Sequence, residues 1–492
     1  MDTVSTLVNA CLLPAYGGKR PPDWLLRELD DGLAGIVLFG ANLGLLDGRI
    51  REIVTEPLRA RHPDMVIALD EEGGDITRAE YHRGSNYPGN LALGVVDDVE
   101  LTGQVAQAIA ADLIDLGVTV NLAPCADVCP GFDMPVLGAR SFHSDPARVA
   151  AHSRAFVTGL QRHGVAATAK HFPGIGATRV DSHYELPSVD ASEELFRARD
   201  LPPFAACVEA GVQAVMTGHV LVEGVDDVAA TFSRRFVTGI LRDELGFDGV
   251  VISDALDMKA AQAGLGFGGA AVRAWQAGVD LMILGPMDGE DVCREIQDAA
   301  RRALRDGTLS LSRLEEAAQR VVRLREWTGA PRGPEQDLSG TGMAAARRAI
   351  EVRGEPPEPG ARYVVELRPE PSISCGTVPW GLAGALRRFD RLLGFREVAP
   401  GTAAGELDLP GGEVPLVVVV RAESADPWQT ETVAALVADR PDSVVVDMGF
   451  GDTPVPPGRT VVKTYGAGLV NAVAAAELLG GRRAKAAPRD RW

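Results

Sequence analysis

The chain has 492 residues, 46% apolar and 24% charged, so it is ordinary globular material and longer than one hydrophobic core usually serves. Its formal charge of −19 argues against nucleic acid or an anionic membrane as partner, because phosphate binding needs clustered Lys and Arg; a single phosphate held locally stays open. At the N-terminus, Asp2, the lack of a basic segment and only a short apolar stretch at Leu12 and Leu13 speak against a signal peptide. No apolar run reaches membrane-spanning length, and a cytoplasmic location is expected.

From about residue 30 to 290, short β-rich runs alternate with longer amphipathic segments. The runs are 35–39, 65–69, 118–122, 166–170, 213–217, 249–253 and 280–284, with helix-like stretches such as 101–116, 147–163 and 192–210 between them. This βα alternation predicts a parallel sheet covered by helices, which open and closed forms both satisfy. Polar residues stand at the end of nearly every run: Asp70, Asn121, Lys170 with His171, His219 and Asp254. Such ends converge on one mouth in a (β/α)8 TIM-type barrel, so the barrel is the expected form, with one of its eight strands not visible among the seven runs. Gly- and Pro-rich stretches at 329–342 and 354–360, with a helix over 343–353 between them, read as a linker. Beyond it, runs at 362–367, 416–421, 443–447 and 459–463 with helices over 426–438 and 469–479 predict a smaller α/β sandwich. The expected division is a catalytic barrel over 1–330, a linker over 331–360 and the α/β sandwich domain over 361–492. The basic tail from Arg482 to Lys485 is short and reads as solvated, and no internal repeat is visible.

Chemistry concentrates in Lys170-His171-Phe172-Pro173-Gly174, followed by Asp181-Ser182-His183. A cation, two imidazoles and a carboxylate within fourteen residues is a costly set to bury for packing alone; on a loop opened by Pro173, Gly174 and Gly176 it reads as catalytic machinery. Asp254, after the run 249–253, is positioned to attack an electrophilic carbon, to act as a base or to bind a metal; an Asp that merely caps the next helix is the bland alternative. Asp181 would orient His183 as a proton donor if the loop curls back, whereas alone a loop histidine is more often just solvated. A serine triad lacks its G-x-S-x-G elbow. The six cysteines, Cys125 and Cys129 included, follow no metal or disulfide spacing, and nothing implies a metal or a cofactor.

Lys170-His171-Phe172-Pro173-Gly174-Ile175-Gly176 with Asp181-Ser182-His183 resembles the K-H-F-P-G-x-G…D-[ST]-H signature of glycoside hydrolase family 3, in its β-N-acetylglucosaminidase branch. Further blocks keep the family's order: 68–74 with Arg78, 88–94, 121–124, 138–142 and 245–258. The resemblance covers roughly residues 10 to 330. It implies Asp254 as the nucleophile that forms a covalent glycosyl-enzyme, and Asp181 with His183 as an acid/base dyad. It also implies Asp70, Arg78, Arg140, Lys170 and His171 as residues that hold the hydroxyls of a terminal N-acetylglucosamine. Two positions depart from the pattern: Ile175 replaces a second His of the loop, and Asp75 replaces the Arg that usually follows Glu-Gly-Gly.

The expectation is thus a retaining exo-β-N-acetylglucosaminidase acting on small soluble glycosides, with no nucleic acid or membrane partner. The competing expectation is a phosphorylase using inorganic phosphate at the same site, because a neutral His183 would not repel an incoming phosphate as a spent carboxylate would. A non-catalytic sugar-binding protein on the same fold is the third reading; the presence of every catalytic residue type stands against it. For the C-terminal domain, structural support is the expected role.

Overall fold

The computed structural model describes residues 3–483 apart from 45, 47, 48, 132, 133, 135, 181, 183, 184, 263, 287, 288, 329–336, 422–425, 439 and 441. The chain forms two compact units. One comprises Met1–Glu71, Thr102–Val128 and Ser144–Gln336; the other comprises Glu72–Leu101, Cys129–His143 and Asp337–Trp492.

The first unit is a curled parallel sheet wrapped by helices. Its strands are β1 (Leu12–Pro14), β2 (Gly35–Val37), β3 (Val66–Leu69), β4 (Val120–Asn121), β5 (Ala166–Phe172), β7 (Ala214–Thr217), β9 (Val250–Ser253) and β10 (Met282–Leu284). A separate parallel pair, β6 (Ser188–Ser192) with β8 (Leu221–Gly224), follows β5 and β7. Pairing is continuous and parallel from β2 through β3, β4, β5 and β7 to β9. The bridge Ile252–Leu281 joins β9 to the start of β10, which carries β1 in parallel on its other side. Ala34 N–H then donates to Asn9 C=O at 3.0 Å, drawing the approaches to β1 and β2 together.

Side chains from all eight strands meet in one core, including Leu13, Val37, Ala68, Val120, Ala166, Met216, Ile252 and Ile283. That is possible only if the sheet curves round on itself, as in a TIM-type barrel. The strands are buried throughout and almost wholly apolar, as parallel strands under helices must be. The strand that sequence periodicity did not reveal is β1, whose three residues are too few to display a period. Around the barrel, the helix Pro146–Arg162 illustrates how the cover is specified. Asp145 caps it by accepting from Ala147 N–H, Pro146 occupies its first turn, and Val149, Phe156, Val157 and Leu160 form its buried stripe.

The second unit holds a six-stranded sheet in the order β11 (Glu351–Arg353), β16 (Thr460–Lys463), β15 (Val444–Asp447), β14 (Leu416–Val420), β12 (Arg362–Leu367) and β13 (Leu392–Val398). All its pairings are parallel except that of β11 with β16. Val364, Val417, Val419 and Val446 face a core shared with the helices Thr341–Ala349, Ala383–Arg388 and Leu469–Gly480. Val365, Val418, Val420 and Val445 face the other core, with Val433 and Val437 of the helix Pro427–Ala438. Here the structure corrects the helix expected over 343–353. It ends at Ala349, and Glu351–Arg353 becomes the antiparallel edge strand, because Val352 pairs with Val462. Leu91, Ala92 and Cys129 pack with Ala349, Phe450 and Tyr465, which is why the segments 72–101 and 129–143 belong to this unit. Among the described residues, no helix is long and apolar enough to cross a membrane.

Candidate active site

Every polar strand end singled out in the sequence lies at the same end of the curled sheet, since the strands that carry them are all parallel. Asp70 directly follows β3, and Lys170 lies near the end of β5; Lys170 Nζ donates to Asp70 Oδ1 at 2.6 Å. Asn121, the last residue of β4, holds both backbone groups of Glu71: its Oδ1 accepts from Glu71 N–H at 3.0 Å and its Nδ2 donates to Glu71 C=O at 2.9 Å. Side-chain mimicry of a strand partner thus fixes the backbone that presents Asp70.

His171 is held from below. Its Nδ1 lies 2.8 Å from Asp127 Oδ2, and its backbone N–H donates to the same oxygen at 3.1 Å. Ile175 N–H donates to Asp127 Oδ1 at 2.8 Å, and the Cys125 thiol donates to Asp127 Oδ2 at 3.1 Å. Burial raises the Asp127 carboxyl, but the neighbouring His171 and these hydrogen bonds outweigh it and hold the group below its ordinary range. Gly174 completes the turn with φ +122°, and a Cβ there would stand 2.9 Å from Asp200 Cβ, so both the backbone conformation and the space require glycine. Ile175, one of the two departures, is buried, and one of its methyls occupies the room left by the missing Cβ of Gly218.

Cys125, Asp127 and His171 offer three ligand atoms within 4.8 Å of one another, the one set among the described residues with metal-binding spacing. The thiol and the imidazole already bond to the carboxylate between them, so the set is satisfied without an ion.

Asp254 follows β9, its N–H donating to Thr217 C=O at 3.0 Å, so strand pairing continues up to this carboxylate. Oδ1 accepts from Ala255 N–H at 2.8 Å; no donor among the described residues reaches Oδ2, and the side chain is half-buried. The geometry leaves one oxygen anchored and one available to attack. His219, two residues past β7, is fully buried between Thr231 Oγ1 at 2.9 Å and Ala255 C=O at 3.2 Å. Burial pushes its imidazole pKa down, against the opposing charge of Asp254. It is a packed neutral histidine rather than a second acid.

In the other unit, Arg140 makes a two-pronged ion pair with Glu72, at 2.8 and 3.0 Å. Arg78 donates to Ser374 C=O at 2.6 Å and lies over the Tyr81 ring, 5.9 Å from its centroid. Asp75, the second departure, accepts from Ala467 N–H at 2.6 Å and pairs with Arg421 at 3.1 Å. The carboxylate therefore ties the segment 72–101 to the C-terminal sheet.

Of the residues singled out from sequence, Asp70 and Lys170 are brought into direct contact, His171 and Asp254 stand at the ends of β5 and β9 with β7 between them, and Arg78 and Arg140 are held within the second unit. Asp181 and His183 lie outside the described residues; Ser182 between them accepts a backbone hydrogen bond from Ala260 N–H at 3.4 Å. Asp127 and Glu72 escaped the sequence reading. The available signal for Asp127 was a single carboxylate inside the otherwise apolar run from Leu122 to Val128.

The model of the glycosyl hydrolase family 3 N terminal domain matches residues 27–324. A beta-hexosaminidase of Hydrogenovibrio crunogenus is 36% identical over 283 residues, covering 55% of this chain and 77% of its own length. One from Chromobacterium violaceum is 33% identical over 327 residues, covering 65% of this chain and 87% of its own. Among solved structures, the glycoside hydrolase family 3 beta-N-acetylglucosaminidase from Paenibacillus sp. str. FPU-7 is similar with a TM-score of 0.86 and 28% identity, over 98% of both chains.

Proposed function

Because the chain belongs to glycosyl hydrolase family 3 and is a glycoside hydrolase, we propose that it is a retaining exo-β-N-acetylglucosaminidase, acting in the cytoplasm on small glycosides that end in N-acetylglucosamine. The observation that carries the mechanism is the asymmetry of Asp254, one oxygen pinned by Ala255 N–H and the other without a donor among the described residues. Oδ2 attacks the anomeric carbon while His183, oriented by Asp181, protonates the departing oxygen; the bond to the leaving group breaks as the ester to Asp254 forms. His183 then takes a proton from water, which opens the ester and releases the sugar with its configuration retained. The backbone contact between Ser182 and Ala260, six residues beyond Asp254, supports pairing this segment with the nucleophile. Asp70, Arg78, Arg140, Lys170 and His171 bind the sugar hydroxyls, where charged partners impose orientation most strongly.

The test is turnover of an aryl β-N-acetylglucosaminide with phosphate present or absent. The unmutated protein is expected to release free N-acetylglucosamine at a rate indifferent to phosphate, and Asp254→Asn to lose about three orders of magnitude in kcat or more. Unchanged turnover in that variant removes Asp254 from the mechanism. Accumulation of a sugar 1-phosphate replaces hydrolysis with phosphorolysis.

A further inference from the structure

His219 lies just past β7, buried, with both ring nitrogens engaged. Nε2 is 3.2 Å from the carbonyl oxygen of Ala255, and Nδ1 is 2.9 Å from Thr231 Oγ1. A carbonyl oxygen only accepts, so Nε2 carries a hydrogen and donates it to Ala255. Burial lowers the imidazole pKa, so the ring is neutral near neutral pH and its bare Nδ1 accepts from the Thr231 hydroxyl. Thr231 belongs to the turn Ala230–Phe232, whose Phe232 ring stacks on the imidazole with 6.4 Å between centroids and 22° between planes.

Ala255 is the residue that anchors the proposed nucleophile, its N–H donating to Asp254 Oδ1 at 2.8 Å. The peptide group that follows is gripped at both ends, Leu256 N–H by Ile283 C=O at 3.0 Å and Ala255 C=O by His219. On the near side, the N–H of Asp254 itself is held by Thr217 C=O at 3.0 Å. Two of these three contacts are strand pairing carried on from β9 toward β7 and β10; the histidine supplies the one that pairing does not. An apolar side chain would fill the same space without stripping an imidazole of its water.

We propose that His219 is a positioning residue for the nucleophile: by holding the Ala255 carbonyl it fixes the residue whose N–H aims the Asp254 carboxylate at the anomeric carbon. This deepens the glycosidase reading above and rests on it. His219 itself touches no substrate; its effect passes through Ala255 to Asp254.

The experiment is His219→Leu and His219→Gln in the full chain. For each, kcat/KM is measured on an aryl β-N-acetylglucosaminide, and affinity is read from inhibition by free N-acetylglucosamine. Leucine fills the space without a donor, whereas the glutamine amide carries an N–H to the place of Nε2. Misplacing a reacting group by about 1 Å costs on the order of a hundredfold. His219→Leu is therefore expected to lower kcat/KM by about that factor while the inhibition constant stays within about threefold. His219→Gln is expected to recover about tenfold of the loss. In Asp254→Asn, adding His219→Leu is expected to cost less than about threefold, because leucine acts through a carboxylate already removed. A leucine variant as active as the parent, a glutamine variant no better than leucine, or losses that multiply would each overturn the proposal. If His219→Leu does not fold, Thr231→Val decides. Loss of the hydroxyl behind the ring is expected to lower kcat/KM about tenfold at an inhibition constant within about threefold, and an unchanged kcat/KM overturns the proposal. Should the parent turn over no β-N-acetylglucosaminide, the glycosidase reading fails and this role with it. An active parent beside an equally active leucine variant removes only the role of His219.

Discussion

Lys170 reaches past a neighbouring strand to pair with Asp70. The two residues sit at the ends of β5 and β3, with β4 running between, and Nζ lies 2.6 Å from the carboxylate. The lysine side chain is 2% exposed, so its charge is stripped of water and set directly against the carboxylate. Asn121 at the end of β4 grips the peptide next to Asp70, so three consecutive strands act on one carboxylate.

Removing either charge takes an opposite charge away from the other, and Lys170 is almost fully buried. Asp70→Asn and Lys170→Met are each expected to lower the unfolding free energy by about 3 kcal/mol, and the double variant to regain much of it without regaining activity. Thermal denaturation of the four proteins checks this. A double variant no more stable than the worse single shows that the pair is not coupled.

Asp200 makes stability depend on pH in the direction opposite to a paired surface carboxylate. Burial pushes its pKa up to about 6, opposed by the two-pronged contact with Arg199 and reinforced by the charge of Asp127. The folded state therefore holds this proton where the unfolded state has released it, and stability from this group falls as pH rises from the unfolded value of 3.8 to about 6. Asp200→Asn is expected to gain on the parent by about 1 kcal/mol more at pH 7.5 than at pH 5. Melting temperatures of both proteins at the two pH values decide it; a gain no larger at pH 7.5 refutes the raised pKa.

At position 75 the family's usual arginine would be harmful here, because Arg421 already occupies the space facing it. Asp75→Arg would set two guanidinium groups against each other and strip Ala467 N–H of its acceptor. A loss of about 3 kcal/mol or more is expected, with partial recovery in Asp75→Arg combined with Arg421→Asp. Chemical denaturation of the single and double variants checks the recovery. Equal losses in both would show that the pairing is incidental.

Much of the architecture was legible because parallel strands under helices must be apolar and must end in polar residues where function sits. Seven runs ending at Asp70, Asn121, Lys170, His219, Asp254 and their neighbours were enough to choose a barrel. What escaped was whatever lacks a period or depends on distant pairing: β1, three residues long; β11, turned from helix to strand by Val462; and β13, an edge strand that leaves Leu393 and Phe395 exposed. In the candidate site, Lys170, His171 and Asp254 stood out from their places at strand ends. Asp127 was not, because its importance lies in what it accepts from residues 44 and 48 positions further on, and a lone sequence does not display that convergence.

Barrel closure also has a consequence for how the chain emerges. Leu12 pairs with Met282, so the earliest of these barrel strands meets this partner only when a residue 270 positions later has been made. During that interval β1 stays a short apolar segment with an unsatisfied edge, while the strands from β2 to β9 can each dock on the one before. Until β10 has been made the interior lacks Leu281 and Ile283, so the hydrophobic core is complete only once that strand has joined it.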